Sequence, residues 1–204
     1  MLTNIVRELE DNFRKSLPFF QKRLRNRQYE LSSEGIYLPK DRVTLGGIMG
    51  GAVRQNGELL QGWGYNHNVV TDEGLNSLIN VYLHDTARIT TWYLAPFTSG
   101  SPAGNLTAAT FPSAHSETTL YSESTRQEFN NAASTAQSTT NDANMATFTA
   151  SAEVTVLGLA LLSVSTKSST SGVCFAAALF PTSLHLPSAG SELLGKYTFT
   201  AADA

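Results

Sequence analysis

Apolar residues show a helical spacing near the start of the chain. They recur there at three- and four-residue steps, with charged residues mainly between them: Leu2, Ile5, Val6, Leu9, Phe13, Leu17 and Phe20. This period predicts one amphipathic helix. Pro18 either interrupts this helix or starts a second short turn. Residues 28–40 show no clean period and are predicted to be an extended linker.

A second helical pattern lies further along the chain. Thr71 is a favourable N-cap residue, and Asp72 and Glu73 follow it, so that negative charge complements the helix dipole in the first turn. The apolar residues of this segment share one face: Leu75, Leu78, Ile79, Tyr82 and Leu83. We predict a helix over residues 72–84, closed by His84.

The other apolar segments are short and typical of β-strands. Asn56-Gly57 separates two of them, at residues 43–53 and 59–65, and this dipeptide favours a type I′ hairpin. Further candidate strands cover residues 90–97, 118–129, 145–150, 154–162, 173–180 and 193–199, with polar loops at 99–116 and 130–141. Residues 157–162 and 173–180 are apolar enough to be buried on both faces.

These elements predict a mainly β protein with two parts. Residues 1–40 are expected to form an N-terminal amphipathic helical arm and linker. Residues 41–204 are expected to form a β-sandwich of jelly-roll type with one inserted helix, because strands recur at turn-separated intervals.

The sign of the charge differs between the first quarter of the chain and the rest. Charged residues make up 15% of the chain, against about 25% in typical soluble proteins, which argues against a coiled coil or a helical bundle. Residues 1–54 hold ten Lys/Arg against six Asp/Glu, whereas residues 55–204 hold four against eleven. A basic arm on an acidic body favours an arm that binds outside its own domain, and the net charge of −3 disfavours general nucleic-acid binding.

The chain shows no pattern typical of export or membrane insertion. Residues 7–11 are mostly charged where a secretory signal needs apolar residues. The most apolar stretch, residues 154–164, is shorter than the roughly 20 residues that span a bilayer. We therefore expect synthesis in the cytoplasm and no membrane association.

Few residues carry candidate chemistry. The single cysteine, Cys174, excludes an intramolecular disulfide, and its apolar neighbours indicate a buried position. The four histidines are too far apart in sequence to share one helix face: His67, His84, His115 and His185. The glycine-rich residues 46–51 lack the lysine and the helix of a phosphate loop. We predict no catalytic residue, no metal site and no cofactor.

Aromatic residues offer an alternative binding function. Trp63, Tyr65, Trp92 and Tyr93 could line a sugar-binding face, as in a carbohydrate- or receptor-binding module, although strand aromatics more often belong to a core.

The basic arm is compatible with several partners. A membrane-surface helix and a nucleic-acid-binding arm share its pattern, but Glu8, Glu10 and Asp11 weaken both interpretations. Protein docking or packing on its own domain is favoured. The predicted protein-interface residues are Leu9, Phe13, Leu17, Phe19, Phe20, Lys22, Arg23, Arg25 and Arg27.

Four segments carry a family resemblance. They are Asn66-His-Asn-Val-Val-Thr-Asp-Glu-Gly-Leu-Asn76 followed by Thr90-Thr-Trp-Tyr-Leu94, then Tyr121-Ser-Glu-Ser-Thr-Arg126, and Thr140-Asn-Asp-Ala-Asn-Met-Ala-Thr-Phe-Thr149. Together they resemble a group of structural proteins from the virions of tailed bacteriophages. The likeness covers roughly residues 43–204 and includes no catalytic motif.

The resemblance implies a non-enzymatic virion protein assembled in the host cytoplasm. The favoured role is a capsid cement or decoration protein that binds the major capsid protein and forms a homo-oligomer. The alternative is a head–tail connector or tail protein, whose partners would be portal or tail proteins. Both roles need a rigid body and many contacts repeated by symmetry.

Overall fold

The computed structural model of the protein describes residues 29–31, 37–39 and 43–203. In these ranges the chain is mainly antiparallel β-structure, as the sequence predicts. The elements are β1 (Tyr29–Leu31), β2 (Tyr37–Pro39), β3 (Val43–Gln55), β4 (Glu58–His67), β5 (Val69–Val70), α1 (Asp72–Leu83), β6 (Tyr93–Phe97), α2 (Phe111–Ala114), β7 (Gln127–Glu128), β8 (Ser138–Thr140), β9 (Ala146–Thr149), β10 (Val154–Leu162), β11 (Cys174–Leu186) and β12 (Glu192–Asp203). The predicted N-terminal helix lies outside the described residues.

The chain divides into two compact units, residues 1–44 with 202–204 and residues 45–201. Within the first unit, β1 and β2 form an antiparallel pair in which Tyr29 lies opposite Pro39 and Leu31 lies opposite Tyr37. The segment predicted to be an extended linker therefore contains a short pair of strands. Three-residue strands are too short to show an alternating pattern in the sequence.

The second unit contains two antiparallel sheets. One has the strand order β5-β11-β10-β6-β7, and the other has the order β4-β3-β12-β8. Strand β9 also pairs with β12, along Glu192–Gly195, while β8 pairs with Thr198–Thr200. The two short strands β8 and β9 therefore share one edge of β12, and the first and last long strands of the unit, β3 and β12, are neighbours.

The sheets pack face to face. A single buried cluster takes side chains from both of them, including Met49 of β3, Tyr197 of β12, Leu159 of β10 and Phe180 of β11. Burial of this apolar surface is the main stabilising contribution that the second unit offers.

The β5-β11-β10-β6-β7 sheet is covered on its other face as well. Phe97 and Leu162 belong to a second cluster with Leu106 and Phe111, which come from the segment between β6 and β7. The prediction that residues 157–162 and 173–180 are buried on both faces is confirmed for β10 and for most of β11. The predicted loop over residues 99–116 contains the short helix α2, which a four-residue span does not reveal by periodicity.

Two local predictions are confirmed at residue level. Asn56 and Gly57 both have positive φ, 52° and 86°, as a type I′ turn between β3 and β4 requires. Helix α1 begins after Thr71, whose hydroxyl accepts a hydrogen bond from the Gly74 amide, and ends before His84.

Two polar segments differ from their predicted structure. Residues 118–129, predicted as strand, contribute only β7, and residues 130–141, predicted as loop, contain β8. Neither short strand has an apolar alternation, because each lies at a sheet edge and pairs on one side.

Candidate functional site

The structure does not place the interface residues predicted from the sequence. Leu9, Phe13, Leu17, Phe19, Phe20, Lys22, Arg23, Arg25 and Arg27 all lie outside the described residues. The surfaces of the second unit are therefore the candidate sites.

The histidines lie at separate places. His67 ends β4 and His84 caps α1, whereas the buried His115 ring lies against Phe97 with its Nδ1 atom 3.1 Å from the Ser99 carbonyl oxygen. His185 contacts the Thr155 hydroxyl at 3.2 Å. Within residues 43–203, no group of three His, Cys, Asp or Glu side chains is arranged to hold a metal ion.

A cleft of ≈ 580 Å³ runs beside helix α1 and includes Glu73. One carboxylate oxygen of Glu73 accepts hydrogen bonds from the backbone amides of Ala108 at 2.8 Å and Cys174 at 2.7 Å. Burial, together with this carboxylate, raises the pKa of the Cys174 thiol to about 12. The thiol is therefore protonated at neutral pH and is a poor nucleophile, and Glu73 has a structural role.

Glu117 and Arg126 form an ion pair that is fully buried. The guanidinium donates to both carboxylate oxygens, at 2.8 Å from Nε and 2.6 Å from Nη2. Arg126 also donates to the carbonyl of Val164 at 2.9 Å, and the Ser168 amide donates to Glu117 at 3.1 Å. The pair therefore fixes the segment before β7 to the loop between β10 and β11.

Two further residues of the segments that carry the family resemblance also make structural contacts. Glu123 accepts from the Thr149 amide at 3.1 Å. Asn141 lies between β8 and β9 and bridges two backbone groups of β12, accepting from Tyr197 at 2.8 Å and donating to Gly195 at 3.2 Å. The Asn141 side chain therefore adds to the backbone pairing where the edge of β12 passes from β8 to β9.

Helix α1 is attached to the sheet by its first turn. The Thr71 amide donates to the Phe175 carbonyl at 3.0 Å, and the Asp72 amide donates to the Gly104 carbonyl at 2.7 Å. Gly74 lies so close to β11 that a Cβ atom there would be 2.5 Å from the Phe175 carbonyl oxygen. A side chain at position 74 would separate the helix from the sheet.

The last turns of α1 present apolar side chains to solvent. Ile79, Tyr82 and Leu83 are 48%, 78% and 83% exposed, and we call these three residues the helix surface. A cleft of ≈ 190 Å³ adjoins it and includes Trp92 and Phe175 among its lining residues. The sequence predicts an apolar face here but cannot show that part of it is uncovered.

A second exposed apolar feature lies on the β4-β3-β12-β8 sheet. The Trp63 and Tyr65 rings are nearly parallel, with centroids 5.7 Å apart and planes at 14°. Tyr65 lies opposite Gly50, and a Cβ atom at Gly50 would be 2.5 Å from the Tyr65 ring. Met49 and Val53 of β3 point into the core, so Gly50 and the two rings face outward.

The four aromatic residues proposed from the sequence do not form one face. Trp92 packs edge-on against Phe175, with ring centroids 5.4 Å apart, and contacts the core. Tyr93 begins β6 and lies opposite Glu128. The structure brings together only Trp63 and Tyr65.

Comparison with known proteins does not assign this chain to a family. No protein-family model matches the chain, and no curated protein matches it. Among the described helices, neither is long and apolar enough to cross a membrane.

Proposed function

We propose that this chain is a non-enzymatic structural component of a bacteriophage virion, and that it acts as a capsid cement or decoration protein. Its partner would be the major capsid protein, and it would be present as a homo-oligomer. The sandwich would be of jelly-roll type, preceded by a helical arm. The alternative is a head–tail connector or tail protein, with portal or tail proteins as partners.

The exposed helix surface is the observation that carries the proposal. The second unit already has two closed apolar clusters, yet Tyr82 and Leu83 remain almost fully in solvent. Large exposed apolar side chains grouped on one element are typical of protein–protein interfaces. Burial of a Leu-sized side chain contributes about 1.5–3 kcal/mol, and symmetry repeats that contribution across a particle.

The polar side chains support the same function. Glu117, Arg126, Glu123 and Asn141 all bind other groups of this chain. Arg126, Glu123 and Asn141 belong to the segments that resemble the phage proteins, and they hold loops and strands in place, which is a role that a rigid virion part needs.

The N-terminal arm would be the main anchor. Its predicted apolar stripe and the basic run from Lys22 to Arg27 would contact another subunit.

The proposal is tested by adding variants to phage particles that lack this protein. We expect deletion of residues 1–27 to abolish incorporation, while Tyr82→Ser/Leu83→Ser reduces it at least tenfold. The control is Leu120→Ser, which changes a single exposed leucine outside the helices and strands and should leave incorporation unchanged. Full incorporation of the truncated protein would contradict the anchoring role of the arm.

A further inference from the structure

We infer that the outer face of the β4-β3-β12-β8 sheet binds a neutral oligosaccharide, with Trp63 and Tyr65 as its stacking platform. This inference does not depend on the proposed virion function. It concerns a different surface from the one that would contact another subunit.

The platform is built into the sheet. The Tyr65 ring packs on Gly50, and only a glycine leaves room for it, because a Cβ atom would be 2.5 Å from ring atoms Cδ1 and Cε1. The Trp63 ring lies nearly parallel to it, with centroids 5.7 Å apart. Tyr65 remains 46% exposed and Trp63 is partly exposed, so both rings are held in place and remain accessible from solvent.

Polar groups flank the platform in pairs of opposite charge. Lys196 of β12 lies 5.9 Å from the Tyr65 ring centroid and forms an ion pair with Asp142. Further along the same face, the Arg54 guanidinium donates to the Glu192 carboxylate at 2.6 Å. Each cation is matched by a carboxylate, so the charges of these two pairs cancel.

This combination identifies the class of ligand. Pyranose rings have apolar C–H faces that stack on aromatic side chains, and they have hydroxyl groups that both donate and accept hydrogen bonds. Side chains in ion pairs offer donors and acceptors together. A nucleic acid would need unpaired positive charge beside the rings, and an acidic glycan would need the same, so a neutral sugar chain fits best.

The binding test uses the intact chain and a panel of neutral hexasaccharides made of glucose, xylose, mannose or N-acetylglucosamine. A heparin hexasaccharide and a dT12 oligonucleotide serve as charged probes. Isothermal titration calorimetry should detect at least one neutral probe with a Kd below about 1 mM. No binding by any neutral probe, or tighter binding of heparin or dT12, would overturn the inference.

Variants then assign the binding to the platform. Trp63→Ala and Tyr65→Ala should each weaken binding at least tenfold, whereas Tyr65→Phe, which keeps the ring over Gly50, should retain it. Tyr82→Ala removes an exposed ring on the helix surface and should have no effect. Unchanged affinity in Trp63→Ala would place the ligand elsewhere and would overturn the site.

A spectroscopic readout separates ligand contact from loss of folding. The chain has two tryptophans, so Trp92→Phe leaves Trp63 as the single indole fluorophore. The neutral probe that binds should shift the emission of Trp63 in this variant. An emission that stays constant at saturating sugar would contradict stacking on Trp63. If sedimentation shows that the unmodified chain is a dimer and that Tyr65→Ala is a monomer, the face is a contact between copies and the inference is overturned.

Discussion

Burial of side chains differs between two regions of the molecule. One region is the pair of loops joined by Glu117 and Arg126, and the other is the end of helix α1. In the loops, the charged pair is fully buried and hydrogen-bonds to the backbone of Val164 and Ser168. At the helix end, Tyr82 and Leu83 are apolar and largely exposed. The comparison shows that burial in this unit follows the available partners rather than polarity: the charged pair is buried because each charge is matched, whereas the apolar helix end is exposed because no described residue covers it.

The largest expected effect comes from removing one partner of the buried pair. Arg126→Ala leaves the Glu117 carboxylate buried without its counter-charge, and we expect it to lower the free energy of unfolding by about 3–5 kcal/mol. Urea denaturation followed by circular dichroism measures the change. The double variant Glu117→Leu/Arg126→Met should be clearly more stable than Arg126→Ala, because it buries no unpaired charge. Equal stability of the two variants would contradict this account of the loops.

A smaller effect on the free energy of unfolding is expected at Asn141, which hydrogen-bonds to the backbone of β12. Asn141→Ala leaves the buried Tyr197 amide without its acceptor, so the free energy of unfolding should fall by about 1–3 kcal/mol. The exposed neighbour Asn144 provides the control, since Asn144→Ala should change stability by less than about 0.5 kcal/mol. Two variants with the same stability would show that the Asn141 bridge contributes little.

The predicted pH dependence of stability lies on the alkaline side. Burial raises the pKa of Cys174 from 9.0 to about 12, so above pH 9 the unfolded chain loses a proton that the folded chain keeps. The contribution of the Cys174 thiol to the free energy of unfolding is fully present below pH 9. It falls as the pH rises toward 12, by up to about 1.4 kcal/mol per pH unit. The pKa values of Tyr121 and Tyr197 are also raised by burial and act in the same direction.

Denaturation at pH 8 and pH 10.5 measures this dependence. Cys174→Ala should lose less stability between the two pH values than the unmodified chain does. The same loss in both proteins would show that Cys174 does not contribute.

The sequence predicts the local elements of this molecule better than its long-range contacts, for a physical reason. Helix α1 and the Asn56-Gly57 hairpin depend on neighbouring residues, so their period and turn chemistry are visible in the chain. The Glu117–Arg126 pair depends on where the loop containing Ser168 returns, 51 residues after Glu117. Exposure of Tyr82 depends on which elements pack against α1, and an apolar period alone does not contain that information.

The smallest stability effect is expected on the helix surface. Tyr82→Ser/Leu83→Ser should change the free energy of unfolding by no more than about 0.5 kcal/mol per residue, because both side chains are largely exposed in the isolated protein. Urea denaturation beside the unmodified chain measures it. A loss of several kcal/mol would show that these residues stabilise the body itself, and their exposure would then not mark an interface.

The central claim is that this chain is a repeated structural part of a phage capsid. Quantitative mass spectrometry of purified particles, with isotope-labelled peptides of this chain and of the major capsid protein, counts its copies directly. We predict hundreds of copies per particle, in a simple ratio to the major capsid protein. About six or twelve copies would assign the chain to the head–tail axis instead, and its absence from purified particles would contradict the account.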